Sequence, residues 1–267
     1  MHRLSVVIPA LNEESNIPAT LSAVPVDRLR RAGYEVELLV VDNGSMDRTA
    51  QVAREHGARV LIQPVRGYGN AYKCGFANST GEIIATGDAD QTYPFEILPD
   101  VLAQMKREDL EFVSTNRLAH LRPEAMKASH KWANLLLTGV SRALYENLPF
   151  RDSQSGMWIF KRYVWSYCEV QSGGMPFSQE IKVEAFRKGF RCAEIPIEYR
   201  PRVGETKLRG LRDGALVAGH LLAHRMRPSR PGPMEVFAGV DDRVRALPID
   251  RSLATADSMS MGGDRCA

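Results

Sequence analysis

Asp88 and Asp90 stand one residue apart in Thr86-Gly87-Asp88-Ala89-Asp90-Gln91-Thr92-Tyr93-Pro94. In extended backbone such residues project to the same side, so both carboxylates can face one hard cation. A Mg2+ or Mn2+ ion is typically held by one or two carboxylates, with substrate phosphates at its remaining positions. Aspartates also cap helices and close turns, so the spacing alone leaves a purely structural reading open. The apolar run Glu82-Ile83-Ile84-Ala85 reads as a buried strand feeding the pair, and Pro94 suits the first turn of the helical pattern that follows.

The elements that must position this pair alternate along the chain. Leu4 to Pro9, Val36 to Val41, Arg59 to Ile62 and Glu82 to Ala85 read as strands. Helical spacing separates them: a segment through Leu21, Met46 to His56 (stopped by Gly57), and a helix through Phe76 introduced by Arg66-Gly67-Tyr68-Gly69-Asn70. Near-continuous apolar strands between helices imply an α/β fold with one mostly parallel sheet covered on both faces. Ligands of open sheets bind beyond the carboxyl ends of the strands. Pro9 to Glu13, Asp42 to Ser45 and Asp88 to Gln91 all fall at such ends, so three polar clusters are expected to converge on one crevice.

Composition narrows the classes. The 267 residues are 44% hydrophobic and 25% charged, as in an ordinary globular protein, and a net charge of +3 is too small to argue for nucleic acid. The four cysteines (Cys74, Cys168, Cys192, Cys266) are far apart, which indicates neither a zinc site nor a disulfide framework and suits a reducing cytoplasm. A strand beginning by Leu4 leaves no room for a signal peptide, and no apolar run approaches the ~20 residues of a membrane span. The G-x-G-x-x-G fingerprint is missing after the first strand, and neither a P-loop nor a G-x-S-x-G elbow occurs. What remains is a nucleotide crevice with a carboxylate pair for a metal and no evident covalent nucleophile.

Six segments, in order, carry a family resemblance. They are Val7 to Glu14, Val41 to Thr49, Arg66 to Tyr72, Asp88-Ala89-Asp90, Asp152 to Met157 and Arg202 to Lys207. Together they resemble glycosyltransferase family 2 with the GT-A fold, and within it the polyprenyl-phosphate (dolichyl-phosphate) sugar synthase branch. The resemblance implies that Pro9, Ala10, Asn12 and Glu13 border the nucleotide, that Asp42 accepts hydrogen bonds from base or ribose, and that Gly69 lets backbone approach it. Asp88, Ala89 and Asp90 would bracket the donor and its Mg2+ or Mn2+. Relatives often carry glutamine two residues after the second aspartate; here Thr92 takes that place and Gln91 precedes it, so Gln91 or Thr92 would complete the metal shell.

On the acceptor side the resemblance implies that Arg117 faces a phosphate. His130, Lys131 and Asn134 fall where relatives place a second basic residue and a small polar one. Asp152, Gln154 and Ser155 would form a loop in which Asp152 orients an arginine or, for a hydroxyl acceptor, serves as base; Glu180 is the other candidate base, unless it only steadies a helix start. A phosphate monoester is already anionic and needs no base, so the enzyme's task becomes positioning and charge neutralisation. Arg202 and Lys207 are the cations expected on the leaving diphosphate.

Trp132, Leu135, Leu136, Val140 and Leu144 repeat at helical spacing among Lys127, Lys131 and Arg142, and Ala215 to Leu222 runs into His224-Arg225-Met226-Arg227. Such stripes suit a helix in the headgroup plane or a packed core helix. The expectation is therefore a GT-A domain over 1–227 and a proline-containing, disordered tail over 228–267. The expected activity is inverting transfer of mannose, glucose or N-acetylglucosamine from a GDP- or UDP-sugar to a polyprenyl phosphate, at or near the cytoplasmic membrane face. A soluble acceptor, a nucleotide-sugar-binding protein without turnover, and a membrane-surface scaffold remain as alternatives.

Overall fold

The computed structural model describes residues 1–203, 210–228 and 244–246. The frame is a mixed sheet in the order β3-β2-β1-β4-β6-β5-β7-β8. Its strands are β1 (His2–Ala10), β2 (Tyr34–Asp42), β3 (Arg59–Ile62), β4 (Ile83–Thr86), β5 (Phe112–Asn116), β6 (Trp158–Lys161), β7 (Cys192–Pro196) and β8 (Val244–Ala246). All neighbours are parallel except β6, which runs against both β4 and β5. Strand β8 is the described stretch of the segment expected as a tail. The loop residues Gly204, Glu205 and Lys207 lie outside the described residues.

The helices are α1 (Ile17–Ser22), α2 (Val26–Arg31), α3 (Thr49–Glu55), α4 (Tyr68–Asn78), α5 (Leu98–Arg107), α6 (Ala128–Leu144), α7 (Arg162–Tyr167), α8 (Phe177–Arg187) and α9 (Gly210–Arg225). Strand β1 forms the axis of the donor half because Leu4, Val6, Val7 and Ile8 are fully buried on both faces, as continuous apolar strands require. Burying each such side chain is worth about 1.5–3 kcal/mol. One core holds Leu4, Val6, Ile8, Val40 and Val113 against α1, α2 and α5. The other is aromatic: Tyr72, Phe76, Trp158, Phe160 and Phe177 pack between the sheet, α4 and α8.

Two boundaries differ from expectation. Pro94 does not open a helix: a 3-10 turn over Phe95–Ile97 intervenes, and α5 starts at Leu98 with Pro99 in its first turn. Residues 89–90 form a turn, not an extended run. Gln91 follows with φ 64°, in the left-handed region that side chains rarely enter. That reversal fixes where each side chain of the motif points.

Candidate active site

The three strand ends do converge. A cleft of about 640 Å³ is lined by Pro9, Ala10, Leu11 and Glu13 after β1, by Asn43 after β2 and by Asp88, Ala89 and Asp90 after β4. Its other walls come from Arg66, Gly67, Tyr68 and Ala71 at the start of α4, from Ser172 to Pro176 before α8, and from Arg202 and His220.

Asp90 is 2% exposed. Its Oδ1 accepts from the Thr92 hydroxyl at 2.6 Å and its Oδ2 from Arg202 Nε at 2.6 Å. Asp88 is half-buried, and its Oδ1 lies 3.4 Å from the hydroxyls of both Tyr68 and Tyr72. Burial, and then the neighbouring Asp90 charge, push the Asp88 carboxyl up to about 7, while Arg202 and Arg117 pull in the opposite direction. Two like charges crowded at the edge of a cleft fit a divalent cation, which would relieve their repulsion. Among the described residues no third His, Cys, Asp or Glu joins them, so an ion there would take further oxygens from a ligand, as magnesium commonly does.

Gln91 is a correction. Its backbone reversal sends the side chain to Asn16 Oδ1, at 3.1 Å, into a separate 180 Å³ pocket bordered by Thr20 and Arg200. Of the two alternatives, Thr92 is the one at Asp90.

Three expected donor contacts are not among the residues lining the cleft. Asp42 accepts from Ser45 N at 2.8 Å and closes its own turn. Asn12 ties β1 to the loop after β2: its Oδ1 accepts from Met46 N, and its backbone N–H donates to Ser45 Oγ. A Cβ on Gly69 would lie 2.5 Å from Ser172 O and 2.9 Å from Phe177 Cβ, so the missing side chain admits the 172–174 loop, not a nucleotide.

The acceptor-side residues form a second, buried cluster. Asp152 is fully buried and receives Arg117 Nε and Nη2 at 2.8 and 2.9 Å, Arg117 N at 2.9 Å and Asn134 Nδ2 at 2.7 Å. Burial alone would raise this carboxyl; the Arg117 guanidinium overrides it and holds it well below the usual carboxylate range. Asp152 therefore orients Arg117, whose guanidinium also stacks 5.3 Å from the Tyr199 ring. Ser155 is buried with its hydroxyl 2.7 Å from Thr115 Oγ1, and Gln154 Nε2 donates to Ser153 Oγ and Gln179 Oε1. His130 is half-buried and Lys131 exposed in the first turn of α6, apart from the Arg117–Asp152 contacts.

Glu180 is 2% exposed and fully engaged. Its oxygens accept from Gln171 N, Ser172 N and Arg227 Nη1 at 3.0, 2.8 and 3.1 Å, and His220 Nε2 lies 3.7 Å away. It pins the loop that walls the cleft, to which α9 adds His220. His220 carries no signal in the sequence, since a lone histidine in an apolar helix looks like core; Tyr68, Tyr72 and Tyr93 fall inside the segments quoted above, but nothing in their spacing shows that they surround Asp88.

The glycosyl transferase family 2 profile matches residues 5–167, more than half of the chain. The chain belongs to glycosyl transferase family 2. It is 37% identical over 216 residues to the low-salt glycan biosynthesis hexosyltransferase Agl6 of Haloferax volcanii, a match covering 79% of this chain and 51% of that protein. The chain thus spans about half the length of that relative. It is 32% identical to a dolichyl-phosphate hexose transferase of the same organism, covering 80% of this chain and 90% of the relative. Among solved structures, glucosyl-3-phosphoglycerate synthase of Mycobacterium tuberculosis, in complex with Mn2+, UDP and phosphoglyceric acid, superposes with a TM-score of 0.68 at 22% identity. That match covers 85% of this chain and 80% of the synthase. The shared architecture is GT-A, as expected from the motifs.

Proposed function

We propose that this family 2 member transfers a hexose, with inversion, from a nucleoside-diphosphate sugar to a polyprenyl phosphate. The observation that carries the reading is the state of the candidate bases. Asp152 is locked to Arg117 and Asn134, and Glu180 to two backbone N–H groups. Neither is free to take a proton from a hydroxyl acceptor within hydrogen-bond reach. An acceptor phosphate needs no such base, and a half-buried, pre-oriented arginine is a fitting partner for it. The dolichyl-phosphate hexose transferase among the relatives supports the same acceptor class.

In this reading the nucleoside lies against Pro9, Ala10, Leu11, Glu13 and Asn43, with the diphosphate at Asp88, Asp90 and Arg202. A divalent cation held by Asp88 and Asp90 would supply neutralisation of the leaving diphosphate. Arg202 adds a positive charge at the same end. Arg117, steered by Asp152, holds the acceptor phosphate on the other side, and its charge reaches far enough to act on Asp88. Positioning and electrostatics then carry the reaction.

The surface supports a lipid acceptor. Helix α6 buries Asn134, Leu137, Thr138 and Ser141 while leaving Trp132 and Leu136 each 70% exposed. Leu222 and Met226 are exposed at the end of α9, which packs against α6. Lys127, Lys131, Arg142 and Arg225 are exposed around them. Apolar side chains ringed by cations suit a headgroup plane, and no helix among the described residues is long and apolar enough to cross a membrane.

The deciding experiment is transfer from UDP-glucose and GDP-mannose, with Mn2+, to a polyprenyl phosphate in detergent and to 3-phosphoglycerate in buffer. Lipid-dependent transfer abolished by Asp90→Ala is expected. Transfer only to the soluble acid would refute the lipid reading, and nucleotide-sugar binding without any transfer would refute catalysis.

A further inference from the structure

Beneath the Arg117–Asp152 cluster lies a carboxylate that the proposed reaction does not use. Glu194, on β7, is 4% exposed. Its Oε1 accepts from Arg151 N at 2.8 Å and Asp152 N at 2.9 Å; its Oε2 accepts from Asn116 Nδ2 at 2.8 Å. Asn116 cannot turn its amide over, because its Oδ1 already accepts from Leu118 N and Ala119 N at 2.9 and 3.1 Å. One side chain thus ties the residue preceding Arg117 to the backbone that carries Asp152.

We propose that Glu194 is a positioning residue: by holding Asn116 and the Arg151–Asp152 backbone together, it sets the register in which Asp152 grips Arg117 and presents it to the acceptor. The proposal rests on the acceptor role read above for Arg117. Lys182 completes the grip from α8, donating to the Asp152 carbonyl oxygen at 2.7 Å. The Asp152 peptide is therefore fixed at its N–H by Glu194 and at its C=O by Lys182. The charged groups facing Glu194 are Lys182 from α8 and Asp152 from the loop before β6.

The donor–acceptor arithmetic makes the requirement specific. Both Glu194 oxygens must accept, since every group pointing at them is an N–H. Glutamine has one acceptor oxygen, so either Asn116 or the 151–152 backbone loses its partner. A buried polar group left unsatisfied is strongly disfavoured. A proton on Glu194 would have the same effect, because one of its oxygens would then face an N–H as a donor.

The test begins without substrate. In the Glu194→Gln variant, hydrogen exchange of the Arg117 Nε–H, followed by 15N NMR, is expected to accelerate about tenfold, equivalent to ~1.4 kcal/mol. The KM for polyprenyl phosphate should rise by a similar factor while the Kd for UDP or GDP stays unchanged. The double variant Asn116→Asp/Glu194→Gln reverses donor and acceptor across the same contact and is expected to restore both readouts. If Glu194→Gln does not fold, Asn116→Ala breaks the link from its other end and is read in the same way. A fall in Tm with Arg117 Nε–H exchange unchanged would overturn the proposal, as would a double variant no better than the single one. Faster exchange in a protein whose wild type transfers no sugar to lipid phosphate would uphold the positioning role and reject the acceptor assignment instead.

Discussion

Arg202 Nε lies 2.6 Å from Asp90 Oδ2, so the carboxylate expected to hold a metal is already engaged by a cation from 112 residues downstream. The contact is continuous with the 200–203 segment, where Arg200 N donates to Thr92 O and Val203 N to Asp90 O. A metal held at Asp90 would compete with this guanidinium for one oxygen. Arg202→Ala is therefore expected to bind Mn2+ about tenfold more tightly in the absence of nucleotide, ~1.4 kcal/mol, while losing transfer by on the order of a hundredfold. Titration calorimetry beside a transfer assay checks both. Unchanged or weaker Mn2+ binding would show that the two do not compete.

The Arg117–Asp152 pair sets a pH signature. The folded Asp152 carboxyl is held below its ordinary value, so the unfolded chain takes up its proton first as pH falls. The stabilisation is complete above the unfolded value of about 3.9 and is lost only below it. Asp152→Asn removes one member of a buried pair and is expected to cost about 3–5 kcal/mol at pH 7. Denaturant melts should show that gap constant from pH 8 to 5 and closing only below about pH 4. A gap that closes near pH 6 would mean that another group dominates.

Gly156 faces the carboxylate pair from the acceptor side. A Cβ there would lie 2.2 Å from Tyr68 Oη and 3.6 Å from Asp88 Oδ1. Its N–H donates to Tyr93 Oη at 2.6 Å and its C=O accepts from Thr86 Oγ1 at 2.9 Å, so the backbone cannot move aside. Gly156→Ala should displace Tyr68 and weaken UDP or GDP binding with Mn2+ by about tenfold, at ~1.4 kcal/mol. The Kd gives the answer directly; a value equal to wild type would mean Tyr68 has room to shift.

The exposed apolar face of α6 is open to a direct test. Trp132→Glu/Leu136→Glu replaces two side chains that are 70% exposed, so Tm should shift by less than about 2 °C. Sedimentation with phosphatidylglycerol vesicles should fall at least about tenfold, since each side chain forfeits roughly 1.5–3 kcal/mol of burial in the interface. Equal sedimentation of the variant and wild type would rule this face out as the contact.

Much of the donor half was legible because its signals are local. Continuous apolar runs mark β1 and β2, and the polar residues closing them fall at their carboxyl ends whatever the rest of the chain does. Gln91 was misplaced because its direction depends on one positive φ, which spacing does not reveal. Gly69 was read against a ligand because the sequence does not show that Ser172 and Phe177, about a hundred residues later, occupy its space. Glu194 and Lys182 are not legible for a related reason: their roles are contacts with distant segments, and a charged side chain in a strand or helix carries no mark of its partner. Residue types alone leave Asp152 between two roles, and the bidentate contact with Arg117 is what separates them.

The reversed direction of β6 has a consequence for how this architecture can vary. Because β5 and β6 pair antiparallel, everything from Arg117 to Met157 leaves and re-enters the sheet at a single rim, beside the end of β4. The whole excursion, α6 included, behaves as a cassette inserted into a hairpin. Its outer part, between residues 118 and 150, can vary in length and chemistry, while residues 151–157, held by Glu194, Tyr93 and Thr86, stay with the strands that frame the carboxylate pair. A scaffold so divided can acquire a new acceptor while keeping its donor, and chimaeras joined at residues 118 and 150 are the natural place to engineer one.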